Sequence, residues 1–199
     1  VNDNTVKNYY SSFDSLDSFK EDEYRRYVAN TVTGLSVTGR YVDNITIVAN
    51  KGRTVTSSAS KNAILPSDVV LYDAISETEE IQIVDSRDRY MTSWFGHHKV
   101  LDELIENDTN NYAITAVRPL LSTSYEGIGY VIIDVKKDVI IESMNNLELP
   151  EDSLISFISP DGREITPSDV TEPIFINEDF YKEAVESEDA YGNKNVKID

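Results

Sequence analysis

Residues 112–135 read YAITAVRPLLSTSYEGIGYVIIDV. Two runs rich in β-branched and aromatic residues, YAITAVRPLL and GIGYVIIDV, flank a polar segment holding Ser122, Thr123, Ser124, Glu126 and Gly127. Such runs parted by turn residues make an antiparallel strand pair with a loop of several residues. Side chains alternate along a strand, so Tyr112, Ile114, Ala116 and Arg118 are expected to share one face of the first run, and Tyr130, Ile132 and Asp134 to share a face of the second. Arg118 and Asp134 stand among apolar neighbours, where a buried charge is costly unless something pairs with it. Each other, or a ligand, are the two partners this leaves.

Upstream, NITIVANKGRTVTSS at 44–58 is a β-rich run, a turn at Gly52 and a second β-rich run, hence a hairpin. SLISFISPDGREITPS at 153–168 repeats it 110 residues later. Ile45 matches Ile155, Ile47 Phe157, Gly52 Gly162, Arg53 Arg163, Val55 Ile165 and Thr56 Thr166, and Ala74-Ile75 and Ala184-Val185 keep the same spacing. One fixed offset over several kinds of position indicates two copies of a module about a domain long. The second copy is expected to be cut short at the end of the chain. A start at Val1 rather than methionine fits an excised or processed fragment.

Residues 4–33 hold no Gly or Pro and carry Val6, Tyr9, Leu16, Tyr24, Tyr27, Val28 and Val32 near helical spacing, so a long helix with a break near Ser18 is expected. Its apolar stripe serves packing on its own domain or on a second copy of the chain. Ser67 or Asp68 would cap a short helix over 67–77, and Val100, Leu101, Leu104 and Ile105 mark another. Both lie between the first hairpin and the central strand pair, so they should cover one face of a single antiparallel sheet. Between them, Ile81, Ile83 and then DSRDRYMTSWFGHH read as an irregular connection, and KKDVIIESMNNL after Val135 as a helix. The fold class is therefore α+β: a long helix at 1–40, an antiparallel-sheet module at 41–148, and the start of a second module at 149–199.

Composition narrows the function. The 18 basic and 36 acidic residues give a formal charge of -18, which excludes a nucleic-acid or anionic-membrane surface. With no cysteine there is no disulfide framework and no thiolate chemistry. No glycine-rich phosphate loop, G-x-S-x-G, HExxH or EF-hand spacing occurs, so the reading is non-enzymatic and without a cofactor. The adjacent His97 and His98 fail the i, i+4 spacing of a metal pair and read as a solvent-facing loop. Asn44-Ile45-Thr46 and Asn107-Asp108-Thr109 match N-x-T, a pattern that arises often by chance.

The hairpin, covering helices, Ser-Trp-Phe connection, YAITAVRPL and GYVIIDV strands and second SFISPDGREI hairpin together resemble a double Cache (tandem PAS-like) extracytoplasmic sensor domain. Such domains stand outside the membrane in bacterial chemoreceptors and sensor histidine kinases. The resemblance spans nearly the whole chain and implies a receptor tethered by membrane helices, with its ligand in the membrane-distal module at 41–148. Amino-acid-binding members carry Arg-x-Trp-Tyr before the central strands and an aspartate at the end of the last one. Trp94 and Asp134 match that pattern, whereas Thr92 stands at the arginine position and Phe95 at the tyrosine position. The implied ligand site is Trp94, Asp134, Phe95, Tyr90, Arg118 and Tyr112. Without the carboxylate-clamping arginine, Asp134 beside Trp94 and Phe95 suits an amine-bearing or amino-acid-like small molecule through ion pairing and cation–π attraction. A surface adhesion or dimerisation module using the helix stripe is the alternative.

Overall fold

Residues 3–12, 15–50, 52–57, 68–150, 153–167 and 173–187 are described in a computed structural model of the chain. The N-cap expected at Ser67 lies outside them. Among the described residues the protein is mixed α+β, with seven helices, a five-stranded antiparallel sheet and a separate two-stranded one. None of the described helices is long and apolar enough to cross a membrane.

The amino-terminal segment is two helices, α1 (Asn4–Ser11) and α2 (Ser18–Thr38). Asp3 caps α1 by accepting from the Thr5 and Val6 amides, and Asp17 caps α2 by accepting from Lys20 N. A fresh cap restarts the helix because its first amides have no partner within it. The second carboxylate oxygen of Asp3 accepts from Tyr27 Oη at 2.8 Å, which ties the two helices together.

The main sheet consists of β1 (Val42–Ala49), β2 (Val55–Thr56), β3 (Ser93–Phe95), β4 (Tyr112–Leu121) and β5 (Gly127–Lys136), in the order β2-β1-β5-β4-β3. Strand alternation gives it two apolar faces. Ile45, Ile47, Ala49, Val55 and Leu120 pack under Val6, Tyr9, Tyr10, Val28 and Val32 of α1 and α2. On the opposite face Val48, Val117, Tyr130 and Ile132 pack under α3 (Asp68–Ser76), α4 (Glu79–Ser86) and α5 (Lys99–Ile105). Helix layers therefore cover both faces, where the sequence placed two short helices on one.

Two elements lie inside the stretch read as irregular. Thr78 caps α4, with Glu79 and Glu80 in its first turn where the helix dipole favours negative charge, and only Ile81 and Val84 of α4 are buried. β3 is three residues long. Neither leaves enough periodic sequence to be found by pattern.

The second hairpin, β6 (Phe157–Ile158) and β7 (Glu164–Ile165), reproduces the first. Ile47 pairs with Val55 as Phe157 pairs with Ile165. Gly52 (φ 83°) donates to Ala49 O and Gly162 (φ 80°) to Ser159 O, both in the left-handed conformation that glycine adopts without a Cβ clash. Each hairpin arginine lies over a tyrosine ring of an earlier segment, Arg53 at 4.6 Å from that of Tyr9 and Arg163 at 6.0 Å from that of Tyr112. Helix α6 (Lys137–Asn145) links the two parts, and Met144 packs with Ala113 and Ile165 between them. Helix α7 (Asp179–Glu186) follows the second hairpin.

Candidate functional site

Asp134 is fully buried, and its neighbours across the sheet are Asn44 on β1 and Thr115 on β4, with Phe95 of β3 next in the row. The strand pattern alone brings this polar row to the face covered by α3–α5. Asp134 Oδ1 accepts from His98 Nε2 at 2.7 Å and Thr115 Oγ1 at 2.9 Å. Its Oδ2 accepts from Asn107 Nδ2 at 3.3 Å and Asn44 Nδ2 at 3.4 Å. A carboxylate has about four lone-pair sites. All of them are met from within the chain.

His98 is the N-cap residue of α5, and its side chain is 11% exposed. Its Nδ1 lies 3.3 Å from Asp102 Oδ1, one helical turn on, but off the line of a hydrogen bond. Asp102 accepts from Tyr112 Oη at 2.6 Å and Asn107 Nδ2 at 3.1 Å, and the Tyr112 ring stacks on the His98 imidazole at 5.4 Å. Burial pulls the His98 imidazole down, but the hydrogen bond and charge of Asp134 and the charge of Asp102 outweigh it, and the net shift is upward. Burial also raises the Asp102 carboxyl, against the opposing pull of His98, Tyr112 and Asn107. The Tyr112 hydroxyl is raised by burial and by its bond to Asp102, so it stays a donor.

Because the folded-state value of His98 is above the unfolded one, its stabilisation is fully present below about pH 6.5 and is lost as pH rises through the folded-state value. Melting temperatures measured from pH 6 to 9 should fall more steeply for the wild type than for His98→Asn. Equal slopes would remove His98 from the linkage.

Beside this cluster a pocket of about 290 Å³ opens between the sheet and the helices. Ile75, Ile81, Leu101, Val117 and Ile132 form its wall, and Phe95 and Val100 lie toward its mouth. Its polar lining is Thr78, Glu80, His98, Lys99 and Thr115.

The six residues expected at a ligand site separate. Asp134 and Tyr112 are fully buried in the polar cluster, and Phe95 lines the pocket. Trp94 alternates to the other face between Ser93 and Phe95 and is 52% exposed; Tyr90 is 54% exposed. Arg118 is exposed and shares the face of Ala116, opposite that of Asp134, so the two are not partners. A register shift between Tyr112 and Ile114 explains why Tyr112 leaves the face of Ile114, Ala116 and Arg118. One extra residue in a strand reverses the alternation beyond it.

The histidine pair is also corrected: neither faces solvent. His98 meets Asp134, and His97 Nε2 contacts Thr109 O at 2.9 Å. Among the described residues no group of three or more His, Asp or Glu side chains is arranged to hold a metal. Asn44 and Asn107, the two N-x-T asparagines, both bond Asp134, and Asn44 at 2% exposure is closed to glycosylation. Sequence reasoning passed over His98, Asp102, Asn44, Asn107 and Thr115. The i, i+4 spacing of His98 and Asp102, and the polar positions Asn44 and Thr115 on strands otherwise apolar on that face, were the available signals.

The cluster continues into the second hairpin. Arg163 donates to Tyr112 O at 3.4 Å and Ala113 O at 2.9 Å, the carbonyls at the register shift, and its Nε donates to Asp161 Oδ2 at 2.9 Å. Asp161 also accepts from His97 N at 3.1 Å and from the Ser159 hydroxyl.

Compared with known proteins, the chain matches no family model and no curated sequence.

Proposed function

We propose that the chain is the extracytoplasmic small-molecule-sensing region of a bacterial transmembrane signalling receptor, a chemoreceptor or sensor histidine kinase, built from tandem PAS-like Cache modules and not itself an enzyme. The observation that carries this reading is that one stacked pair of residues, His98 and Tyr112, joins the pocket to the second hairpin. His98 lines the pocket and stacks on Tyr112, and Arg163 of the hairpin holds the Tyr112 carbonyl. A ligand that favours one arrangement of α5 over another would thereby bias the docking of the second hairpin. Only such differential affinity can drive a conformational output.

A thermal-shift screen against amino acids, amines, organic acids, sugars, nucleosides and uncharged aromatics tests the binding half. A ligand present at a hundred times its dissociation constant should stabilise the fold by about 2.7 kcal/mol. Spin labels on α2 and the second hairpin then test the signalling half. A bound ligand that leaves their separation unchanged, with receptor output also unchanged, would end the sensor reading.

The dimerisation alternative draws on α2, which leaves Phe19, Tyr27, Leu35 and Val37 exposed. Contact with a second copy through this helix is compatible with a sensor. Sedimentation at micromolar concentrations decides it, and a monomer throughout would remove it.

A further inference from the structure

We infer that the pocket between the sheet and helices α3–α5 takes an uncharged, mainly apolar molecule carrying one hydrogen-bond donor, of the phenol or indole type. This rests on the reading that the pocket binds a ligand, and it departs from the amine suggested by Asp134. Glu80, the carboxylate in the lining, shares it with the Lys99 ammonium, and Asp134 behind it is fully buried and already accepts from His98, Thr115, Asn44 and Asn107. Displacing those donors would strand them in the interior, which is unfavourable.

An anionic ligand fares no better. Even as an imidazolium, His98 already stands between Asp134 at 2.7 Å and Asp102 at 3.3 Å. A third carboxylate beside one imidazolium meets net repulsion. At the mouth Lys99 and Glu80 carry opposite charges, and Lys99 is exposed, so water screens it. What remains is a hydrocarbon wall formed by Ile75, Ile81, Val117 and Ile132.

The hydroxyls fix the polarity of the single polar contact. Thr115 Oγ1 donates to Asp134, and Thr78 Oγ1 donates to Ile75 O. A hydroxyl has one proton and two lone pairs, so both threonines have only acceptor capacity left for a ligand. A hydroxyl or ring N–H on the ligand matches the two threonines, whereas a carbonyl finds no donor on either. The volume, about 290 Å³, is at the lower end for ligand pockets and suits a compact molecule.

The test is calorimetric titration of the 199-residue chain with three molecules that share one ring: p-cresol, tyramine and 4-hydroxyphenylacetate. p-Cresol is expected to bind, with the cation and the anion each at least tenfold weaker. Val100→Trp, at a partly exposed position of the mouth, should weaken p-cresol binding by at least tenfold. Methyl chemical shifts of Val117 and Ile132 in the unaltered protein should move on p-cresol addition, an observation that does not depend on the variant folding. Tighter binding of tyramine or 4-hydroxyphenylacetate, lost in Val100→Trp, would overturn the ligand class while leaving a binding domain. p-Cresol binding that leaves those methyl shifts unmoved would overturn the assignment to this pocket. Failure of p-cresol, and of indole titrated in the same way, to bind would overturn the class, and silence across the broader screen as well would remove the binding reading with it.

Discussion

Asp134→Ala is expected to cost the fold on the order of 3–5 kcal/mol, the range for removing one partner of a buried ion pair. The carboxylate is the meeting point of four donors, Asn44 on β1, Thr115 on β4, His98 at the start of α5 and Asn107 just after its end. Its loss leaves the Thr115 hydroxyl without its acceptor, leaves the Asn44 and Asn107 amides with one acceptor each, Thr46 Oγ1 and Asp102 Oδ1, and leaves the His98 imidazole buried with Asp102 alone. A domain is stable by about 5–15 kcal/mol in total, so the loss is a large share of what holds it folded. Urea unfolding measures it directly. In a cycle with His98→Asn the second substitution should cost less than the first, because the imidazole that Asp134 pairs with is already gone, with a coupling of roughly 0.5–3 kcal/mol. A cost below about 1 kcal/mol for Asp134→Ala would mean that the cluster contributes little net stability.

Gly96→Ala should release the second hairpin from the main sheet. A Cβ at Gly96 would stand 2.5 Å from Asp161 Cβ and closer still to its carboxyl group. Asp161 has little freedom to move aside, since His97 N, Ser159 and Arg163 all donate to that carboxyl. Overpacking of a tight contact costs about 1–3 kcal/mol, and here that cost falls on one docking surface. Hydrogen exchange at the Ser159 and Gly162 amides, which are bonded within the hairpin turn, should therefore accelerate. Protection in β1, β4 and β5 should hold. Unchanged exchange at both hairpin amides would show that Asp161 does not fasten the hairpin to Gly96.

The parts legible in the sequence were those carried by local rules. Glycine at 52 and 162 flanked by β-branched runs gave both hairpins, and their matching registers follow the repeat. The central strands followed from alternation, and so did the placement of Tyr130, Ile132 and Asp134 on one face. Alternation failed where a single extra residue after Tyr112 reversed it, which no composition signal announces. Trp94 resembled a pocket residue by motif, yet strand phase decides its direction and turns it away from Phe95. The partners of Asp134 were out of reach for a different reason. Asn44 lies 90 residues from it in the chain, and Asn107, His98 and Thr115 come from separate elements, so their meeting depends on the tertiary fold.

The two hairpin arginines have a bearing on ancestry. Arg53 covers Tyr9 and reaches Glu21 in α2, while Arg163 covers Tyr112 and reaches the strand carbonyls beside it. Each turn thus brings its own fastener and lays it on whatever segment came before. A duplicated unit of this kind would arrive with its arginine in place, while the tyrosine beneath it belongs to the segment it meets, Tyr9 in one case and Tyr112 in the other.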